Sequence, residues 1–261
     1  MAIITLLTDF GTADGYVGEV KGVLAKEAPS ATLLDIAHDL AAHDVEAARL
    51  AVARYWRRFP EGTVHVVVVD PGVGSDRRCI AVESDGRFLV GPDNGALSPA
   101  LLFAGAQAVT LAIPPTASPT FHGRDVFAPA AARLVQGAAL ATLGAWHPDP
   151  VIRRTPEPVR RSDGCVVGQV ITVDRFGNAI TNILSLRAGD VLLGDRVMPL
   201  RRTYAEVGIG EPLALVGSGG LIEVAVRDGS AAQLLGLARG SEVVFRAGSQ
   251  NSSNRTGPEN F

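Results

Sequence analysis

Short apolar runs and helix-spaced apolar positions alternate along the first half of the chain, and only short runs remain in the second half. Ile3 to Leu7 is a β-prone run that stops abruptly at Thr8-Asp9-Phe10-Gly11. From Tyr16 to Lys26 the apolar residues Val17, Val20, Val23 and Leu24 fall on one helical face, and Thr32 to Ile36 reads as a second strand. Asp44 stands at the N-cap position of a helix over Val45 to Phe59, whose arginines gather at its C-terminal end. Val64 to Val69, with five valines in six residues, reads as a strand buried on both faces and ends at Asp70-Pro71-Gly72-Val73-Gly74. Ile80 to Glu83 and Phe88 to Val90 flank Asp85-Gly86, a hairpin signal. A helix near Leu97 to Phe103, a strand near Val109 to Ile113 and an Ala-rich helix from Val126 to Gln136 complete this half. Strands alternating with helices predict a mainly parallel sheet covered on both sides.

Beyond Gly144 the pattern changes. Four prolines and four arginines between His147 and Asp163 read as an interdomain linker. Past it the helical period is lost, and the runs Val166 to Val173, Val191 to Met198, Leu213 to Val216, Leu221 to Val226 and Val243 to Phe245 are separated by Gly-containing turns. The expected architecture is an α/β N-terminal sandwich domain over residues 1–147, a linker over 148–164 and a small antiparallel β-barrel over 165–247. The polar stretch 248–261 reads as a disordered tail.

Composition narrows the function classes. Of 261 residues, 24 are basic and 27 acidic, giving a net charge of -3, which lacks the basic field that nucleic-acid binding requires. No apolar run approaches the roughly 20 residues of a membrane span, and the N-terminus reads as a strand rather than a signal peptide. Cys79 and Cys165 form neither a metal pattern nor a disulfide framework, so a reducing cytoplasmic compartment is expected.

Candidate chemistry gathers at the predicted strand ends. Asp9 follows the first strand, Asp70 the valine strand with Arg77 and Arg78 shortly after, and Pro92-Asp93-Asn94-Gly95 the hairpin. Phe121-His122-Gly123-Arg124-Asp125 precedes the Ala-rich helix. In an open parallel sheet the carboxyl ends of the strands share one rim, so these segments can converge. Singly, each has a plainer reading: Asp9 and Asp125 as helix N-caps, Asp93-Asn94-Gly95 as a turn, His122 as a structural histidine. Two functions of different class fit the residues alone. One is metal-assisted phosphoester hydrolysis with Asp9, Asp70, Asn94 and His122 as ligands. The other is a non-catalytic nucleotide-binding module, although neither a P-loop nor a full dinucleotide fingerprint occurs. No serine sits in a nucleophile-elbow frame.

Five motifs occur in order: Thr8-Asp9-Phe10-Gly11, Val69-Asp70-Pro71-Gly72-Val73-Gly74, Gly91-Pro92-Asp93-Asn94-Gly95, Thr120-Phe121-His122-Gly123-Arg124-Asp125 and Asp174-Arg175-Phe176-Gly177-Asn178. Together they resemble the S-adenosyl-L-methionine (SAM) hydrolases, or SAM hydroxide adenosyltransferases, relatives of the enzymes that displace methionine from SAM with fluoride or chloride. The resemblance runs from about Ile3 to Phe245. It implies an α/β domain followed by a β-barrel domain, no cofactor and no metal, and a homotrimer whose sites lie between subunits. SAM would be the substrate, adenosine and methionine the products. The family's hydrolases carry an Asp-Arg-His set, which matches Asp70, Arg77 and His122 here, whereas the halogenases have other residues on the Asp70 loop. A SAM halogenase is therefore the nearest alternative.

The resemblance also implies roles. Asp70 and His122 would hold and polarise the attacking water, and Arg77 would pair with Asp70 and fix its orientation. Asp9 would accept bonds from the two ribose hydroxyls. Asn178 would read the adenine edge, with Glu223 and the segment from Val226 completing that pocket. Asp174, Ser218 and Tyr204 would hold the amine and carboxylate of methionine. No thiol is expected to take part.

Overall fold

The computed structural model describes residues 2–184 and 188–248. The tail expected over 248–261 therefore lies, apart from Gly248, outside the described residues. The chain divides after Arg154 into two compact units.

In the first unit, β1 (Ile3–Thr8), β2 (Thr32–Ala37), β3 (Val64–Val68) and β5 (Arg87–Pro92) pair in parallel in the order β2-β1-β3-β5. β4 (Cys79–Ser84), β6 (Gln107–Leu111) and β7 (Gly144–Trp146) extend the sheet by antiparallel pairing. The sheet is thus mixed, because after β3 the chain enters the β4–β5 hairpin instead of a third helical crossover. Asp85 (φ 47°) and Gly86 (φ 69°) make that hairpin's two-residue turn, the left-handed pair that a tight hairpin needs.

Alternation along the strands feeds two apolar layers. Ile4, Leu6, Val64, Val66 and Val68 face α1 (Tyr16–Glu27) and α4 (Ala128–Val135). Leu7, Val67, Val69, Ile80 and Val82 face α2 (Val45–Tyr55) and α3 (Ser98–Leu101). The chain leaves β1 for β2 on one side and then places β3 on the other. The two crossover helices therefore lie on opposite faces, and a crevice opens at the carboxyl ends of β1 and β3.

Asp44 caps α2 as expected, its Oδ1 accepting from the Ala47 N–H at 2.9 Å. The Ala-rich helix begins earlier than its apolar period suggests, with a π-helical turn over Gly123–Phe127 directly after His122. Such a turn inserts one extra residue and re-aims neighbouring side chains, and it recurs at functional sites.

In the second unit, β9 (Val166–Val173), β10 (Ala179–Leu184), β11 (Gly189–Leu193), β12 (Arg196–Arg201), β13 (Pro212–Val216), β14 (Leu221–Val226) and β15 (Glu242–Ala247) form a closed barrel. Pairing of β9 with both β10 and β15 closes it, and all neighbours are antiparallel except β12 and β13. Four details differ from the sequence reading. The run Val191 to Met198 is a hairpin, folded at Gly194 (φ 54°). β10 and the short helix α5 (Ala231–Leu235) were not expected, and within the expected linker β8 (Val159–Arg160) pairs with β9.

Candidate active site

A cleft of about 260 Å³ opens at the β1–β3 crevice, lined by Asp9, Asp70 and His122 together with Phe10, Tyr16 and Phe121. Asp9 is not a helix cap. α1 starts after Gly15 (φ 79°), and Asp9 Oδ2 instead accepts from the His43 N–H at 2.7 Å, tying the end of β1 to the loop ahead of α2. Asp125 is not a cap either. Its Oδ2 accepts from the Ser118 N–H at 2.8 Å and its carboxylate pairs with Arg124.

Arg77 organises the floor of this cleft without lining it. Its Nε donates to Asp70 Oδ1 at 2.9 Å, and Nη2 donates to Asp70 Oδ2 and to His122 Nδ1, the latter at 2.8 Å. Nη1 reaches Cys79 Sγ at 2.7 Å, and the guanidinium lies over the Phe127 ring. The Arg77 and Asp70 side chains are only 10% and 6% exposed. Burial works against the Arg77 charge, but the bonds to Asp70 outweigh it and raise its pKa above the ordinary value. Burial, followed by the charge of Arg77, lowers the pKa of His122.

These contacts set the His122 tautomer. A guanidinium is donor only, so the Nδ1 that meets it must accept, and the single ring proton of neutral His122 sits on Nε2. The cleft is thereby offered a carboxylate acceptor and an imidazole N–H donor, held in register by one cation. The glycines of the Asp70 loop serve close approach. A Cβ on Gly72 would come within 3.2 Å of Arg77 Cγ, and one on Gly74 (φ 77°) within 2.5 Å of the Pro119 carbonyl oxygen.

Phe10, Tyr16 and Phe121 meet edge to face, with centroids 5.4–6.2 Å apart, and wall the cleft. Tyr16 and Cys79 were not singled out from the sequence. Cys79 had one available signal, its position two residues from Arg77, which in extended chain puts both side chains on one face.

The metal-ligand set left open by the sequence is not assembled. Asn94 directs its amide to the Val69 carbonyl (2.8 Å) and its oxygen to the Ala96 N–H (3.1 Å), while His122 Nδ1 is taken by Arg77. Among the described residues no group of three or more His, Cys, Asp or Glu could hold a metal ion. Asp93 is buried away from the cleft, 3.0 Å from His147 Nε2.

The second unit has its own pocket of about 660 Å³, lined by Phe176, Asn178, Tyr204, Val226, Asp228 and Ser230 among others. The Asp174-to-Asn178 loop builds one wall. Asp174 Oδ1 accepts from the Phe176 and Asn178 N–H groups, both at 2.9 Å, and Oδ2 from Asn178 Nδ2 at 3.0 Å. Asp174, Ser218 and Glu223 do not line this pocket. Ser218 is exposed on the β13–β14 turn, and Glu223 packs under Gly217 of the same turn. Burial, then the charges of Glu223 and Asp174, raise the Tyr204 pKa, so all three share one electrostatic neighbourhood.

Two family models cover most of the chain: the SAM hydroxide adenosyltransferase N-terminal domain matches residues 4–144 and its C-terminal domain residues 168–244. The chain belongs to the SAM hydroxide adenosyltransferase family. Within this family it is 43% identical to the (R)-S-adenosyl-L-methionine hydrolase of Thermus thermophilus, covering 93% of this chain and 99% of that one. The hydrolase of the same name from Salinispora arenicola is 41% identical, with 94% and 98% covered. A fluorinase from Actinoplanes is more distant, at 28% identity over 85% of this chain and 90% of its own. A solved structure of an uncharacterized conserved protein from Thermotoga maritima superposes with a TM-score of 0.84 at 33% identity, covering 93% of this chain and 99% of that one.

Proposed function

We propose that this protein hydrolyses SAM, joining water to the ribose 5′ carbon and releasing adenosine and L-methionine. The observation that carries this reading is Arg77 bonding at once to Asp70 and His122 Nδ1 beside the cleft. Water then donates to Asp70, accepts from His122 Nε2–H, and keeps a lone pair for carbon. The water oxygen–carbon bond forms as the carbon–sulfur bond breaks. The bonding pair leaves with sulfur as a neutral thioether, so no general acid is required there. The proton released from water passes to Asp70 and on to solvent. The catalytic work is positioning, which contributes roughly 7–11 kcal/mol in well-oriented systems. Arg77 acts through Asp70 and His122 rather than by touching the substrate.

Asp9 takes the ribose hydroxyls, and the aromatic wall packs the sugar. In the second unit Asn178 reads the adenine edge, with Val226 completing that pocket and Glu223 supporting it from beneath the Gly217 turn. Asp174, Ser218 and Tyr204 hold the methionine head group, with Asp174 acting through the loop that it bonds. The substrate is the (R)-sulfonium epimer, as the names of the hydrolase relatives specify. The working form is a cytoplasmic homotrimer in which one copy's first unit and its neighbour's second unit complete each site. Exposure of Phe176 at 76% and of Tyr204 at 40% beside the second pocket supports a partner surface there. The free thiols Cys79 and Cys165 fit a reducing compartment, and no helix among the described residues is long and apolar enough to cross a membrane. No cofactor is called for, since the sulfonium activates its own leaving group.

Incubation with SAM in chloride buffer made with heavy-oxygen water, with and without chelator, tests the reading. The expected products are methionine and labelled adenosine, indifferent to chelator. Chlorodeoxyadenosine would indicate a halogenase. Chelator-sensitive phosphoester cleavage would indicate a phosphoesterase, and intact bound SAM a binding module.

A further inference from the structure

We propose that His38 is a positioning residue that fixes the ribose-binding carboxylate Asp9 through a buried polar chain running from the surface at Lys21 to the end of β1. His38 is 6% exposed and lies outside the wall of the cleft. Its Nδ1 sits 2.8 Å from Thr8 Oγ1, and its Nε2 lies 3.0 Å from Asp35 Oδ1. Asp35 Oδ2 in turn accepts from Lys21 Nζ at 2.6 Å. The direction of the chain follows from its ends. A carboxylate beside Nε2 draws the ring proton there, so Nδ1 accepts and the Thr8 hydroxyl donates. The Thr8 oxygen keeps its lone pairs for the Phe10 N–H, 3.3 Å away. The His38 carbonyl also accepts from the Gly11 N–H at 2.8 Å. One residue therefore grips the Asp9 loop on both sides, at Thr8 and at Gly11, while the His43 N–H holds the Asp9 carboxylate at 2.7 Å. A loop carrying a ligand carboxylate loses affinity when it must be ordered on binding, and a pre-set polar chain removes that cost.

The proposal rests on Asp9 being the ribose ligand, and the test separates the two ideas. Affinity is measured by calorimetry for adenosine and for 2′,3′-dideoxyadenosine, which lacks both hydroxyls. Two charge-assisted bonds give the unaltered protein a preference for adenosine of about 30-fold, and Asp9→Ala removes it. His38→Ala is expected to cut the preference to about threefold, leaving dideoxyadenosine affinity unchanged. His38→Asn, which returns an acceptor near the Nδ1 position, should restore most of it. Asp35→Ala, at the 44% exposed end of the chain, leaves the core intact and lowers the preference about two- to threefold. Full preference in His38→Ala and Asp35→Ala, with loss only in Asp9→Ala, would overturn the role of His38. Equal weakening of both ligands would also overturn it, as collapse rather than positioning. If the unaltered protein and Asp9→Ala are both indifferent to the hydroxyls, the ribose reading of Asp9 fails first and takes the proposal with it.

Discussion

Arg77→Met separates what this cation does for the fold from what it does for the reaction. The substitution keeps most of the aliphatic stem but deletes both bonds to Asp70, the bond to His122 Nδ1, the contact with Cys79 and the guanidinium over Phe127. Removing one partner of a buried ion pair costs about 3–5 kcal/mol, chiefly because the other charge is left uncompensated. Asp70 borders the cleft, where water can enter, so the lower end applies, about 3 kcal/mol. For a unit of this size that corresponds to a fall in Tm of about 6–12 °C. The double variant Arg77→Met/Asp70→Asn carries no stranded charge. It should be more stable than Arg77→Met alone, a coupling that differential scanning calorimetry on the four-member cycle reads directly. In steady-state kinetics with SAM, kcat should drop on the order of a hundredfold or more, because Asp70 and His122 lose their common register. KM should change little, since Arg77 does not line the cleft. Additive stability losses across the cycle, or a raised KM with kcat intact, would refute this account of Arg77.

Three further outcomes follow from the same structure. Because His122 must be neutral to accept from Arg77, and its pKa lies below the ordinary 6.5, activity should hold at neutral pH. It should fall only as the pH drops below 6.5, and an acid limb of kcat/KM at or above that value would count against the assigned tautomer. Burial lowers the pKa of His65 in the core from 6.5 to about 4. As the pH falls through 6.5 the unfolded chain therefore takes up a proton that the native state refuses, and stability declines until about pH 4. The loss totals about 3 kcal/mol. Denaturant titrations at pH 7 and pH 4 should show that loss for the unaltered chain and not for His65→Gln. Gly177→Ala must hold a side chain at φ 84° with its Cβ 2.0 Å from Ser230 Oγ. It should cost about 2 kcal/mol or more in unfolding measurements and weaken SAM binding; a variant of normal stability and affinity would show that this loop tolerates movement.

What the sequence discloses depends on whether polarity and position agree. Asp9, Asp70 and His122 were legible because each polar residue interrupts an apolar strand or precedes a helix, and Pro or Gly beside it fixes the loop. The parallel order then brings the ends of β1 and β3 to one rim. Where polar side chains are buried by pairing with distant partners, the pattern misleads. β10 was missed because Thr181 and Asn182 interrupt its apolar sequence. Both are buried, Thr181 donating to the Ile222 carbonyl at 2.8 Å, and Asn182 bonding to the Gln169 N–H and the Pro156 carbonyl. Helix α5 has five residues, too few for a period to show. The run Val191 to Met198 is apolar enough to pass for one strand, and only Gly194 marks the fold in it.

The proline-rich stretch gives the clearest case of distance defeating local reading. Asp93 looked like a turn residue and His147 like the start of a linker, yet the two meet at 3.0 Å, each with a side chain only 2% exposed. The Val151 N–H donates to Asp93 Oδ1 at 2.7 Å, the Arg153 N–H donates to Ser98 Oγ at 2.8 Å, and Arg153 Nε donates to the Asn94 carbonyl. The Pro-Asp-Asn-Gly motif is thus a docking point for chain more than fifty residues downstream. Gly95 (φ 97°) lies under the Arg153 side chain, and a Cβ there would come within 2.4 Å of it. A residue type explained by a turn can also be fixed by what passes over it. Single-sequence reading sees the turn and is blind to the strap, because two of its four bonds are carried by backbone donors, which every residue except proline supplies alike.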